Sequence, residues 1–172
     1  CSNGCMFRCY LALGSNLGDR MGHLRAALSG LEAYGISVLR TASVYLTQPK
    51  EILTQPRFLN TVVEAETEFK PEDLMRICLE IENSSQRQRG LRHGPRTLDI
   101  DIILFDDRVV QSQDLKIPHP RYTERRFVLE PLSEIASDQM DPVLNRTVGR
   151  LLEAVQDEST LDLFAPPLSI KP

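Results

Sequence analysis

The sequence predicts an α+β fold of the ferredoxin-like kind, a βαββαβ core with helices packed on an antiparallel sheet, plus a C-terminal extension. Three observations predict it. Four segments rich in apolar and β-branched residues read as strands. Two other segments repeat apolar residues every three or four positions, as amphipathic helices do. The six follow one another in the split βαβ order. At 172 residues, 41% hydrophobic and 26% charged, the chain is long enough for one core, and its ordinary composition excludes wholesale disorder, a collagen-like repeat or a coiled-coil rod.

Residues 7–13 set Phe7, Cys9, Leu11 and Leu13 against Arg8, Tyr10 and Ala12, a strand that Gly14 is expected to stop. Met21, Leu24, Leu28 and Leu31 then place one apolar stripe on a helix over 19–34, closed by Gly35 where a left-handed backbone suits glycine. Segment 36–47 reads as a long second strand and 58–67 as a third. Pro71, Glu72 and Asp73 open the second helix, since proline suits the first turn and carboxylates its positive end; Leu74, Ile77, Cys78 and Ile81 are its buried stripe. Segment 97–105, TLDIDIILF, is the fourth strand. Short strands near Val109 and over 115–117 and helices over 124–136 and 147–155 follow. The reading takes 1–160 as a single domain and 161–172, with three prolines in its last seven residues, as a proline-rich tail or linker rather than a structural element.

Cys1, Cys5 and Cys9 crowd the start while Cys78 lies in a helical stripe, which is no disulfide framework and lacks the spacing of a zinc site. No run approaches the ~18 apolar residues of a membrane span and no basic segment leads into an apolar one, so the chain is expected to be cytoplasmic. Position 1 is Cys rather than Met, as in a processed product or a piece of a longer chain.

A net charge of −4 argues against bulk electrostatic binding of nucleic acid. Yet 16 of the 20 basic residues are arginine, and eight of these lie between Arg87 and Arg126. Their planar forks suit phosphate or carboxylate oxygens, so they mark a local anion site.

Asp99 and Asp101 stand two apart on a strand, which turns both carboxylates to one side about 7 Å apart while Leu98, Ile100 and Ile102 pack on the other. Like charges on one face repel, and a cation beside them relieves the repulsion. So few hard oxygen donors fit Mg²⁺, which completes its shell with water and substrate phosphates. Arg87, Arg89, Arg92 and Arg96 lie just upstream, and carboxylates beside arginines are what phosphoryl transfer needs. His119, between Pro118 and Pro120, is a rigidly presented imidazole followed by Arg121, Arg125 and Arg126. An RNA-recognition module shares the element order, but the third strand lacks its aromatic signature; a regulatory ligand-binding module would not need the acidic pair.

YLALGSNLGDR, QPRFLNTVVEAET, GPRTLDIDIILF and IPHPRYTERRFVLEPLSEIA, in that order between Tyr10 and Ala136, closely resemble 6-hydroxymethyl-7,8-dihydropterin pyrophosphokinase of folate biosynthesis. The resemblance implies transfer of pyrophosphate from ATP to the pterin hydroxymethyl with release of AMP. It implies two Mg²⁺ ions on Asp99 and Asp101, with Arg87 and Arg96 catalytic beside them. ATP would meet Glu82, Arg87, Arg89, Arg96, Ile102, His119 and Arg125. The pterin would meet Thr47, Gln48, Lys50, Phe58, Asn60 and Phe127, with Asn60 reading its polar edge and Phe127 stacking on a ring face. The enzyme is expected to act as a monomer on small molecules, with no nucleic acid or membrane, and family members are often fused to dihydropteroate synthase. The chain departs from the family pattern at Gln48 to Glu51, Phe58, Gln86 and His93.

Overall fold

The computed structural model describes residues 4–48, 57–87 and 97–170. Strand β1 (Phe7–Ser15) leads to helix α1 (Arg20–Ala33), β2 (Ser37–Thr41), β3 (Val44–Gln48), β4 (Phe58–Thr67), α2 (Pro71–Arg87) and β5 (Asp99–Phe105). A small ribbon of β6 (Val110–Gln111) and β7 (Lys116–Ile117), a 3₁₀ turn over Tyr122–Glu124, α3 (Arg126–Ala136), α4 (Val148–Ala154) and β8 (Thr160–Ala165) complete it. The main sheet runs β5-β1-β4-β3-β8, with β2 also on β4, and every pairing in it is antiparallel. Its first three columns, with β2 and β3 as one broken outer strand, are the ferredoxin-like arrangement that the element order predicts.

Capping explains where α1 begins and ends. Asp19 accepts the amide of Gly22 at 3.0 Å, satisfying a donor that the first turn leaves open. At the other end Gly35 has φ +82°, and the amides of Gly35 and Ile36 return to the carbonyls of Glu32 and Leu31, so glycine allows a left-handed reversal that ties off the helix. The stripe Leu74, Ile77, Cys78 and Ile81 of α2 is buried as the periodicity predicts.

The sheet has two covered faces. Cys9, Leu11 and Leu13 of β1, Leu59, Val63 and Ala65 of β4, and Ile100 and Ile102 of β5 form one core with the stripes of α1 and α2. Tyr10, Val62, Ile103 and Leu104 form the other with Tyr122, Val128, Leu129 and Leu132 around α3 and Val148 and Leu151 of α4. The C-terminal extension thus supplies the second layer.

Three sequence expectations change. The long second strand is broken: Tyr45 lies four positions beyond Thr41, their partners Asn60 and Val63 only three apart, and the extra residue is a bulge at Ala42 and Ser43. Gly14 does not stop β1, which continues to Ser15 against Leu59. Segment 161–172 is no mere tail: Leu161 to Ala165 pair with β3, Leu168 is buried, and the Thr41 hydroxyl donates to the Leu168 carbonyl at 2.7 Å. An edge strand with Leu163 and Phe164 both exposed shows no apolar alternation, and its prolines fall only after the last paired residue. Among the described residues no helix is long and apolar enough to cross a membrane.

Candidate active site

Strand parity builds the site. On β5, Ile100 and Ile102 are buried toward α1 and α2, so Asp99 and Asp101 face the α3 side. Ladder partners carry the same face across the sheet: Asp101 stands beside Ala12, Asp99 beside Gly14, Gly14 beside Asn60, and Asn60 beside Tyr45, while Phe58 pairs with Thr47. Toward one end this face is closed by the second core. Toward the other it presents Asp99, Asp101, Gly14, Asn60, Thr47 and Phe58.

Asn60 is held before any ligand arrives. Its amide nitrogen donates to the Thr47 hydroxyl at 3.0 Å, and both residues are buried. Its amide oxygen lies over Gly14, where a Cβ would come within 2.9 Å. Glycine stands inside the strand because a neighbouring side chain needs that space. Gly14 therefore borders the candidate site, a role that periodicity missed, since an isolated glycine in a strand reads first as a stop and its partner 46 residues on leaves no local signal.

His119 reaches the acidic pair through a bulge. Between Tyr10 and Leu11 the register on β5 jumps from Leu104 to Ile102, leaving Ile103 as the extra residue, and the Ile103 carbonyl accepts the His119 amide at 3.0 Å. The Arg121 amide donates to His119 Nδ1 at 3.1 Å, which leaves the ring proton on Nε2. Burial lowers the His119 pKa; the Asp101 charge opposes this, and Arg125 and Arg121 reinforce it. The lowered pKa favours the neutral imidazole, in which Nε2 carries the donor N–H.

Downstream, the Tyr122 hydroxyl donates to Asp141 at 2.5 Å, anchoring the turn between His119 and Arg125. The Arg125 guanidinium lies over the Phe127 ring, 5.7 Å from its centroid, so the anion-binding and ring-stacking candidates adjoin. Phe127 is half-buried against the second core. Glu134 on α3 accepts the Ser43 amide and the Tyr45 hydroxyl, fixing α3 to β3.

Two proposed nucleotide residues lie elsewhere than the face itself. Ile102 points into the α1/α2 core, so what it can offer a ligand is backbone at the sheet edge. Glu82 is buried on α2 and accepts the Ile100 amide at 2.6 Å. Gln48 ends β3. Arg87 ends α2, but its side chain, like all of Lys50, Arg89 and Arg96, lies outside the described residues.

A ferredoxin-like sheet with two carboxylates on one face and an imidazole and an arginine beside it has the make-up of an enzyme that handles phosphate groups. The chain belongs to the 7,8-dihydro-6-hydroxymethylpterin-pyrophosphokinase (HPPK) family, whose match covers residues 10–137. It is a transferase, an ATP-using pyrophosphokinase of folate biosynthesis. It is 44% identical over 127 residues to the 2-amino-4-hydroxy-6-hydroxymethyldihydropteridine pyrophosphokinase of Bacillus subtilis, covering 73% of this chain and 76% of that protein. It is also 44% identical over 126 residues to the folate synthesis bifunctional protein of Arabidopsis thaliana, covering 73% of this chain but 26% of that protein. The crystal structure of wild-type HPPK-DHPS from Plasmodium falciparum superposes with a TM-score of 0.73 at 16% identity, over 89% of this chain and 45% of that one; it shares the fold.

Proposed function

We propose that the open half of the α3-side face is where the β,γ-pyrophosphoryl group of ATP passes to the hydroxymethyl oxygen of 6-hydroxymethyl-7,8-dihydropterin. The observation that carries this is the shared parity of Asp99 and Asp101 on β5, Gly14 on β1 and Asn60 on β4, three adjoining strands. A bond forms from the hydroxymethyl oxygen to the β-phosphorus as the bridge to the α-phosphate breaks; AMP leaves and the hydroxyl proton goes to solvent.

Asp99 and Asp101 fit Mg²⁺. They are two hard oxygen donors, so most of the shell is left to phosphates and water, as Mg²⁺ prefers. We assign them two such ions, which when bound neutralise charge on the triphosphate. The chain's own groups orient and bind. His119 Nε2–H donates to a phosphate oxygen, and Arg125 sits on the same anion, joined by Arg87, Arg89 and Arg96. Asn60, steadied by Thr47 and Gly14, gives the pterin one donor and one acceptor, and Phe127 supplies a ring face, with Gln48, Lys50 and Phe58 at the rim. Glu82 serves ATP through the backbone of β5.

The enzyme is taken as a monomer, and Cys5, Cys9 and Cys78 are free thiols, in keeping with a reducing, cytoplasmic setting. Fusion to dihydropteroate synthase in a longer chain follows the bifunctional relatives. The test is to mix ATP, Mg²⁺ and the reduced pterin with the protein and follow phosphorus by NMR. AMP formed only with pterin present is expected; ADP, or nucleotide turnover indifferent to pterin, contradicts the proposal.

A further inference from the structure

We infer that Ser85 is a positioning residue for the acidic pair: it holds the lead into β5 so that Asp99 and Asp101 stay presented on the open face. The inference rests on the reading of those carboxylates as ion-holding groups. Ser85 lies near the end of α2, in the polar run Asn83-Ser84-Ser85-Gln86, where a solvated helix end is the ordinary expectation. It is instead buried.

Its hydroxyl meets that of Thr97 at 2.9 Å. Thr97 lies two residues before β5 begins and is completely buried, as is Ser15, whose hydroxyl donates to the Thr97 carbonyl at 2.5 Å. One helical turn before Ser85, Glu82 accepts the Ile100 amide at 2.6 Å; residues three apart share a helix face. Helix α2 therefore grips the chain on both sides of Asp99, at Thr97 and at Ile100. β5 needs that grip. It is an edge strand, with β1 along one side only, and its first and third residues are like-charged carboxylates that would relax apart if the strand end peeled away.

Ser85 reaches no ligand itself, because α2 packs on the sheet face opposite the aspartates. It acts through Thr97. Removing either hydroxyl leaves the other buried without that bond, and the strand lead is free to shift. Metal sites respond to such outer partners by about ten- to a hundredfold in affinity.

The experiment is calorimetric titration of Mg²⁺ into the full chain saturated with an ATP analogue carrying methylene between the α and β phosphorus atoms. Ser85→Ala should weaken Mg²⁺ binding about tenfold, Thr97→Val should do the same, and the double variant should lose no more than either alone. Ser85→Thr, which keeps the hydroxyl, should restore binding. Thr97→Val carries the test should Ser85→Ala fail to fold. Asp99→Asn separates the two levels: unchanged Mg²⁺ binding there refutes the ion-holding pair itself. Weakening there combined with an unaltered titration in Ser85→Ala and Thr97→Val, or additive losses in the double variant, overturns the role of Ser85 alone.

Discussion

The two faces of the sheet are built from the same strands and do different work. On the α1/α2 side apolar positions run along β1 from Cys9 to Leu13 and continue across Leu59, Val63, Ile100 and Ile102, giving way only at the strand end to the buried hydroxyls of Ser15, Thr97 and Ser85. On the α3 side Tyr10, Val62 and Leu104 are core, but a few residues further along the same strands stand Gly14, Asn60, Asp99 and Asp101. Apolar burial at about 25 cal/mol per Å² stabilises the first face over that span. The second is stabilised at one end and left polar at the other, where a ligand can replace water. Stability and chemistry are thus separated by a single step of strand parity, and neighbouring residues on β5 should respond to mutation in opposite ways.

Asp99→Ala should break the polar end most severely. Turnover should fall by about 10²-fold or more, the scale seen when one electrostatic contact to a transition state is lost. The melting temperature should hold or rise, because a like-charge repulsion is removed. Parallel losses of activity and melting temperature would instead make Asp99 a folding residue.

Asn60→Ala should cost about 1–3 kcal/mol of pterin binding, up to roughly a hundredfold, with ATP binding unaffected. Gly14→Ala should reproduce that selectivity without touching a ligand, because its Cβ would come within 2.9 Å of the Asn60 oxygen. Calorimetric titration of each ligand checks both variants, and equal weakening of pterin and ATP would assign Asn60 to strand structure.

The smallest expected effect is pH dependence through His119. Burial lowers its pKa in the folded state, so between the ordinary histidine value of about 6.5 and the lowered one the unfolded chain binds a proton that the folded chain does not. Stability from this residue is then fully present above about pH 6.5 and is lost as pH falls through the folded value. Melting curves of the wild type should decline more steeply than those of His119→Gln below that pH. Parallel declines would place the histidine in open solvent.

Legibility followed periodicity. The buried stripe of α2 and the α1 cap at Gly35 could be read from spacing, and the opposed facing of the Asp99/Asp101 pair and Ile100/Ile102 from strand parity. The bulge at Ala42 and Ser43 could not, because its extra residue is defined only against β4. Strand β8 was hidden because Leu161, Leu163 and Phe164 lie on an edge where alternation carries no burial. The roles of Gly14, Thr97 and Ser85 depend on partners 46, 82 and 12 residues away in sequence, and such pairings have no local signature. His119 was legible as a presented imidazole, whereas the β5 bulge that receives its amide was not.

The most direct test of the division between faces is a matched pair across adjoining strands, Asp101→Ala on the polar face and Leu11→Ala in the apolar core, each measured for melting temperature and for AMP released per folded molecule. Asp101→Ala should keep its melting temperature and lose AMP release. Leu11→Ala should lose about 2–5 kcal/mol of stability while the molecules that remain folded still turn over. An active Asp101→Ala enzyme, or two variants that lose stability and rate in the same proportion, would contradict the account.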